Sequence, residues 1–176
     1  MKIFVETEQF ILREIVLEDL EGMYALDSDP EVHKYLGNHP VKSREQSREI
    51  IEHIRNQYVV NGIGRWAIID KSSEDFIGWT GLKYEEKFRG DFKYYDLGYR
   101  LRRKYWGKGI ATETAIVSLK YGFEELGLKE IYGSAHIDNI GSNKILKKVG
   151  LKFVEKFDYQ GEVLNGYQIE KKDWKK

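Results

Sequence analysis

The stretch Arg102-Arg103-Lys104-Tyr105-Trp106-Gly107-Lys108-Gly109-Ile110-Ala111-Thr112 joins a segment that reads as a strand, Phe92 to Leu101, to the most strongly periodic helical segment of the chain, residues 107 to 126. Two glycines two positions apart let the backbone turn tightly. Several N–H groups can then point into one concavity at the positive end of a helix dipole, which is an arrangement suited to phosphate. Arg102, Arg103, Lys104 and Lys108 place four cations within seven residues, enough to neutralise a pyrophosphate. The plainer alternative is a Gly-x-Gly turn that opens a helix, with a solvated basic rim. A Walker loop would need Lys-Ser/Thr after its last glycine, where Ile110 stands, and a dinucleotide fingerprint would need a third glycine at Thr112. The anion is therefore expected on something other than ATP or NAD.

Outward from this loop, the pattern reads as one continuous fold. Gln9 to Glu14 is a strand, and Leu20, Met23, Tyr24 and Leu26 lie along one helical face that ends at Ser28-Asp29-Pro30. Ser43 starts a second helix, carried by Ile50, Ile51, Ile54 and Tyr58 to Asn61-Gly62. Trp66 to Asp70, Phe76 to Tyr84 and Phe92 to Leu101 form an antiparallel meander. After the long helix with Ala115, Ile116, Leu119, Phe123 and Leu126 on one stripe come a strand at Glu130 to His136 and a helix at Asn139 to Val149. A closing pair follows at Leu151 to Asp158 and Glu162 to Glu170. This predicts an α/β (α+β) fold in a single domain over residues 1–176.

Composition narrows the function. Lys plus Arg and Asp plus Glu each number 29, so no net field draws the molecule to nucleic acid or an anionic membrane. The opening residues lack the apolar core of a signal peptide and no run approaches a membrane span, so a cytoplasmic location is expected. There is no cysteine, which excludes disulfides and any acyl-cysteine intermediate. His33, His39, His53 and His136 are scattered without ligand spacing, so no metal is expected.

Lys104-Tyr105-Trp106-Gly107-Lys108-Gly109 resembles the acetyl-CoA loop Arg/Gln-x-x-Gly-x-Gly/Ala of the GNAT acetyltransferases, with Lys104 in place of Arg or Gln. Trp106 to Glu113 and Asn139-Ile140-Gly141-Ser142-Asn143-Lys144-Ile145-Leu146-Lys147-Lys148-Val149-Gly150-Leu151 are similar to the branch that acetylates ribosomal-protein amino termini. The likeness extends to Thr7 to Arg13, Ser28 to Val32, Ile77-Gly78, Gly98-Tyr99 and Tyr167 to Trp174. It implies a GNAT-like mixed, strongly twisted sheet of about seven strands flanked by about four helices. It also implies that the strands at 92–101 and 130–136 run parallel and splay, so that pantetheine bonds main chain near Tyr99 to Leu101 as a missing strand. The implied acetyl-CoA contacts are Tyr99, Leu101, Arg102, Arg103, Lys104, Trp106, Gly107, Lys108, Gly109, Ile110, Ala111, Thr112 and Asn139.

Without cysteine, an amine must attack the thioester directly. The departing thiolate, with a pKa near roughly 8.5, needs one hydroxyl or N–H rather than a strong acid. Ser142 has two readings, a first-turn helix hydroxyl and, by its family position, the donor to that thiolate; Leu146 stands where many relatives carry a tyrosine acid. Asp96 is the leading general base and reads equally as the partner of a neighbouring Lys or Arg. His136 is left off the catalytic set, and Glu113 reads as an organiser of the first helical turn. The expected partner is an amine, either a protein N-terminus or a small molecule, with a homodimer left open. A non-catalytic CoA-binding module is the third possibility.

Overall fold

A computed structural model describes residues 1–175; Lys176, the end of the expected 1–176 domain, lies outside the described residues. In chain order the elements are β1 (Ile3–Glu6), β2 (Phe10–Glu14), α1 (Leu20–Asp27), α2 (Pro30–His33), α3 (Arg44–Asn61), β3 (Trp66–Asp70), β4 (Phe76–Arg89), β5 (Phe92–Leu101), α4 (Ile110–Glu124), β6 (Glu130–His136), α5 (Ile140–Lys148), β7 (Lys152–Tyr159) and β8 (Glu162–Glu170). The strands form one sheet in the order β1-β2-β3-β4-β5-β6-β8-β7. Neighbours are antiparallel except β5 and β6, which are parallel.

Among the described residues, eight strands and five α-helices stand where about seven and four were expected. The extra strand, β1, is held by Phe4, which stacks on the fully buried Trp66 at 4.8 Å and meets Tyr121 edge-on at 5.9 Å. The extra helix, α2, is a single turn. Asp29-Pro30 not only ends α1 but starts the next turn, with Asp29 Oδ1 accepting the Glu31 N–H at 3.0 Å and proline at the first position. The long helix begins later than expected, at Ile110, because Gly109 takes a left-handed conformation that no helix interior allows. β4 runs five residues past the expected Tyr84, out to Arg89.

The two faces of the sheet carry separate layers. Ala115, Leu119 and Phe123 of α4 recur at four-residue spacing and pack on Leu82, Leu97, Leu101 and Ile131, with Leu146 of α5 in the same core. On the opposite face, Met23 and Leu26 of α1 and Ile51 and Ile54 of α3 cover Ala67 and Phe76. That second layer stops at β4. Strand alternation places Tyr94, Asp96, Tyr132, Ser134, His136, Leu164 and Phe157 on this same face, beyond the part of the sheet on which the apolar residues of α1 and α3 pack.

One buried amide fixes α5 above β6 and β8. Asn143 Nδ2 donates to the His136 and Asn139 carbonyls, both at 2.8 Å, while its Oδ1 accepts from Asn165 Nδ2 at 2.8 Å and from Tyr167 Oη at 2.6 Å. Every polar atom of the side chain is matched. Asn143→Ala is therefore expected to cost about 1–3 kcal/mol, since it leaves the buried Tyr167 hydroxyl and the Asn165 amide without their acceptor. Urea denaturation measures this, and a loss under about 0.5 kcal/mol would show the network to be dispensable.

Candidate active site

The parallel pair β5 and β6 shares only one bridge, Asp96 with Tyr132. Beyond it the strands part, as expected. Because Arg102 N–H donates to Ile77 O at 2.9 Å, the alternation of an antiparallel pair turns the main-chain groups of Tyr99 and Leu101 away from β4 and toward the opening. The slot thus has a row of unpaired strand groups along one wall and α5 above it. Trp106 Nε1 donates to the Leu101 carbonyl at 2.8 Å, so at Leu101 one of those groups is already taken by the loop itself.

At the mouth of the slot stands the glycine loop. Gly107 and Gly109 have φ of 75° and 80°, and a Cβ on either would meet nothing within 4 Å. Both conformations belong to glycine, and both face open space. Gly109 caps α4 without any side-chain bond, and the first ladder bond of the helix runs from Glu113 N to Gly109 O at 3.0 Å. The amides of Ile110, Ala111 and Thr112 are therefore first-turn donors with no acceptor in their own helix. Such converging first-turn amides are able to donate to phosphate oxygens.

The cations are placed differently from the sequence expectation of four around one anion. Arg102 donates to Phe76 O at 2.9 Å and lies 3.5 Å from Asp75; Lys104 Nζ is 2.6 Å from Asp75; Arg103 Nε is 3.1 Å from Asp29. Hydrogen bonds from Lys104 and then Tyr105 hold the Asp75 carboxyl below its ordinary value. Among the described residues only Lys108 of the four has no acidic partner; its ammonium lies 5.3 Å above the Tyr105 ring. The fold is the reason: it brings Asp75, at the start of β4, and Asp29, at the start of α2, against the loop, where they pair with these three cations.

Above the slot, Asn139 Oδ1 accepts the Ser142 N–H at 3.1 Å and caps α5. Tyr99 Oη lies 3.1 Å from both the Oγ and the carbonyl O of Ser142. Burial pushes the Tyr99 phenol above its ordinary value, so it stays protonated and can hold the serine hydroxyl in place. The sequence pointed to Tyr99 for its main chain; its side chain is the new element. Nothing local in the sequence shows that pairing, which joins residues 43 positions apart.

Across the slot, on the uncovered sheet face, Asp96 sits at the apex where β5 and β6 part. Arg65 Nη2 donates to its carboxylate, and Arg65 Nη1 donates to the Gly81 and Asp96 carbonyls at 2.6 and 2.7 Å. Burial raises the Asp96 carboxyl above its ordinary value against the pull of Arg65. Of its two sequence readings, the ion-pair partner is the one that this geometry carries. Arg65 was missed, and its trace is Gly98: a Cβ there would lie 2.6 Å from Arg65 Nη2. Farther along β6, His136 Nε2 is 2.8 Å from Glu162 and its Nδ1 accepts the Asp138 N–H at 3.1 Å, which sets the Nε2–H tautomer. Tyr35, just after α2, stacks on the imidazole at 5.6 Å.

Residues 9–152 match the sequence profile described as the acetyltransferase (GNAT) domain. The chain is similar to the uncharacterized N-acetyltransferase p20 of Bacillus licheniformis, 32% identical over 146 residues, 83% of this chain and 80% of the relative. It is also similar to the FsC-acetyl coenzyme A-N(2)-transacetylase of Aspergillus fumigatus, 31% identical over 174 residues, 89% of this chain and 72% of that protein. In fold it resembles the ribosomal-protein-S5-alanine acetyltransferase of Vibrio fischeri, with a TM-score of 0.75 at 20% identity over 98% of each chain. A splayed β5–β6 pair, a left-handed glycine loop heading the following helix and a matching profile over most of the chain lead to one conclusion: the chain belongs to the GNAT acetyltransferases, enzymes that use acetyl-CoA to acetylate amines.

Proposed function

We propose that the enzyme moves the acetyl group of acetyl-CoA directly onto the N-terminal α-amine of a peptide or protein. The observation that carries this is the state of the acids on the sheet face beside the slot. Asp96 is paired with Arg65, Glu85 with Lys83, Glu155 with Arg89 and Glu162 with His136. A polyamine needs carboxylates free to meet several ammonium groups, whereas an α-amine brings one. Nor is there an unpaired carboxylate at the apex to strip a proton from a strongly basic amine. An α-amine, with a pKa of about 7.7–8.0, is about 300-fold richer in its neutral form at pH 7 than a lysine amine near 10.4. It can attack with little help.

In this reading the glycine loop and the amides of Ile110 to Thr112 hold the pyrophosphate, with Lys108 as the added cation. The main-chain groups of Tyr99 bind the pantetheine arm as a strand would. The amine enters from the Asp96 face and attacks the thioester carbonyl; the new C–N bond forms as the C–S bond breaks. On the α5 side Ser142 Oγ–H, held by Tyr99, donates to the departing sulfur, and the proton of the amine passes to solvent. Asp96 positions Arg65 and the floor of the site rather than accepting that proton.

The Aspergillus relative, named as an N(2)-transacetylase, supports a second reading, an acceptor amine that is not a protein N-terminus but a small molecule. One panel decides between them. Thiol release is followed at pH 7 with a tetrapeptide bearing a free α-amine, the same peptide N-acetylated with one free lysine, and spermidine. The α-amine peptide is expected to give kcat/KM at least ~10-fold above the other two. A preference of that size for spermidine would overturn the proposal.

A further inference from the structure

The β4–β5 hairpin is longer than the sheet needs, and its tip bends. Pairing runs regularly from Gly78 with Leu101 to Glu85 with Tyr94, then slips, and the next pair is Arg89 with Phe92. Three residues of β4, Glu86 to Phe88, oppose Lys93 alone, and such a bulge turns a hairpin out of its plane. The bend carries the tip across β6 and β8, the two strands that separate β5 from β7, to meet β7. Phe88 lies 4.1 Å from the Tyr159 ring and 6.1 Å from that of Phe157. Arg89 pairs with Glu155 and lies 4.5 Å over Phe157. Its side chain is only 12% exposed, although it sits at the end of a hairpin.

The crossing point matters more than the contact. Phe92 and Tyr94 pack on Tyr132 at 5.1 and 5.4 Å, and Tyr132 is the bridge partner of Asp96 at the apex of the slot. The aromatic base of the tip therefore packs on Tyr132, directly beside the apex of the slot. The opposite limit of that face is the group of Tyr35, His136 and Glu162, four residues farther along β6, about 13 Å away at the strand rise. Between the two limits lie Ser134 on β6 and Gly166, its partner on β8.

We propose that this hairpin tip is a strap that closes one end of the acceptor groove, fastened by the Arg89–Glu155 pair, and that it selects acceptors by the bulk of the group attached to the amine. The inference rests on the α-amine reading above. It is independent of the acetyl-CoA loop, which lies at the other end of β5. A closed strap leaves room for glycine or alanine at the first position of a peptide and obstructs a larger side chain; opening it admits one.

The test uses tetrapeptides that differ only in their first residue, Gly, Ala, Leu or Trp, with wild-type, Arg89→Ala and Glu155→Gln proteins. Glu155→Gln, on a half-exposed edge position, guards against a folding defect in the arginine variant. The wild-type enzyme is expected to lose kcat/KM as bulk rises. In both variants the ratio of the Leu or Trp peptide to the Gly peptide should rise roughly tenfold with acetyl-CoA affinity unchanged. The same ranking and ratios in all three proteins would overturn the strap. If the wild-type protein acetylates none of these peptides, the α-amine reading fails and the strap is judged by hydrogen exchange of residues 86–92. Faster exchange in Glu155→Gln supports the latch, and unchanged exchange overturns it.

Discussion

Gly109→Val is expected to weaken acetyl-CoA binding by at least ~100-fold in a protein that stays folded. The effect is conformational first. Gly109 has φ of 80°, and a Cβ there would meet no atom of the chain within 4 Å, so no core clash unfolds the variant. A β-branched residue nevertheless avoids this left-handed region, which costs an ordinary L-residue roughly 1–2 kcal/mol and valine more. Valine is expected to relieve that strain by rotating the loop, and the amides of Ile110 to Thr112 then no longer converge. Each charge-assisted bond from such an amide to phosphate contributes about 1.5–3 kcal/mol, so losing one or two reaches the hundredfold level of about 2.7 kcal/mol. The added methyl groups also fill the space that the phosphate would take. Gly127, with φ of 64° and nothing within 4 Å of its Cβ position, is the matched control. Gly127→Val carries the same kind of strain outside the loop and should keep full affinity by calorimetry. Unchanged affinity in folded Gly109→Val would remove this loop from the cofactor site.

Much of the frame behind that prediction was readable along the chain, because its signals are local. Trp66–Asp70, Phe92–Leu101, Glu130–His136 and Glu162–Glu170 have the bounds that alternation and turn residues suggested. Ser43 and Asn139 cap their helices as their residue types imply. The signals that were not local were lost. Phe4 makes β1 a strand only because Trp66 and Tyr121 receive it, and a four-residue segment has no periodicity long enough to announce that. The four cations of the loop looked like one phosphate cage in sequence. Asp75 and Asp29, distant in the chain, claim three of them, and only the folded charge pattern shows that Lys108 is left. Asp96 shows the same limit in another form. A carboxylate on a strand looks available until Arg65 arrives from 31 positions away. The tip of β4 went unread for a physical reason as well: Glu85-Glu86-Lys87 has no apolar alternation, and a bulge pairs residues out of register.

Ser142→Ala is expected to lower kcat by ~10- to 1000-fold while leaving acetyl-CoA affinity within about twofold, the signature of a donor used mainly in the transition state. The helix should survive the change, because the cap bond from Asn139 Oδ1 goes to the backbone N–H of residue 142, which alanine keeps. Only the hydroxyl is removed, and the phenol of Tyr99 loses one of its two partners there. Tyr99→Phe separates holding from donating. It leaves the serine hydroxyl in place but free to rotate, so its loss should be smaller than that of Ser142→Ala, and the double variant should be little worse than Ser142→Ala alone. Additive losses would mean that the two side chains act on different steps. The kinetic order supplies a further check, since direct transfer requires both substrates bound together and gives no burst of thiol before the amine is added. A burst in wild-type enzyme that disappears in Ser142→Ala would make the serine a nucleophile. Turnover of Ser142→Ala at the wild-type rate, with chemistry shown to be the slow step, would return Ser142 to the role of a first-turn helix hydroxyl beside its cap.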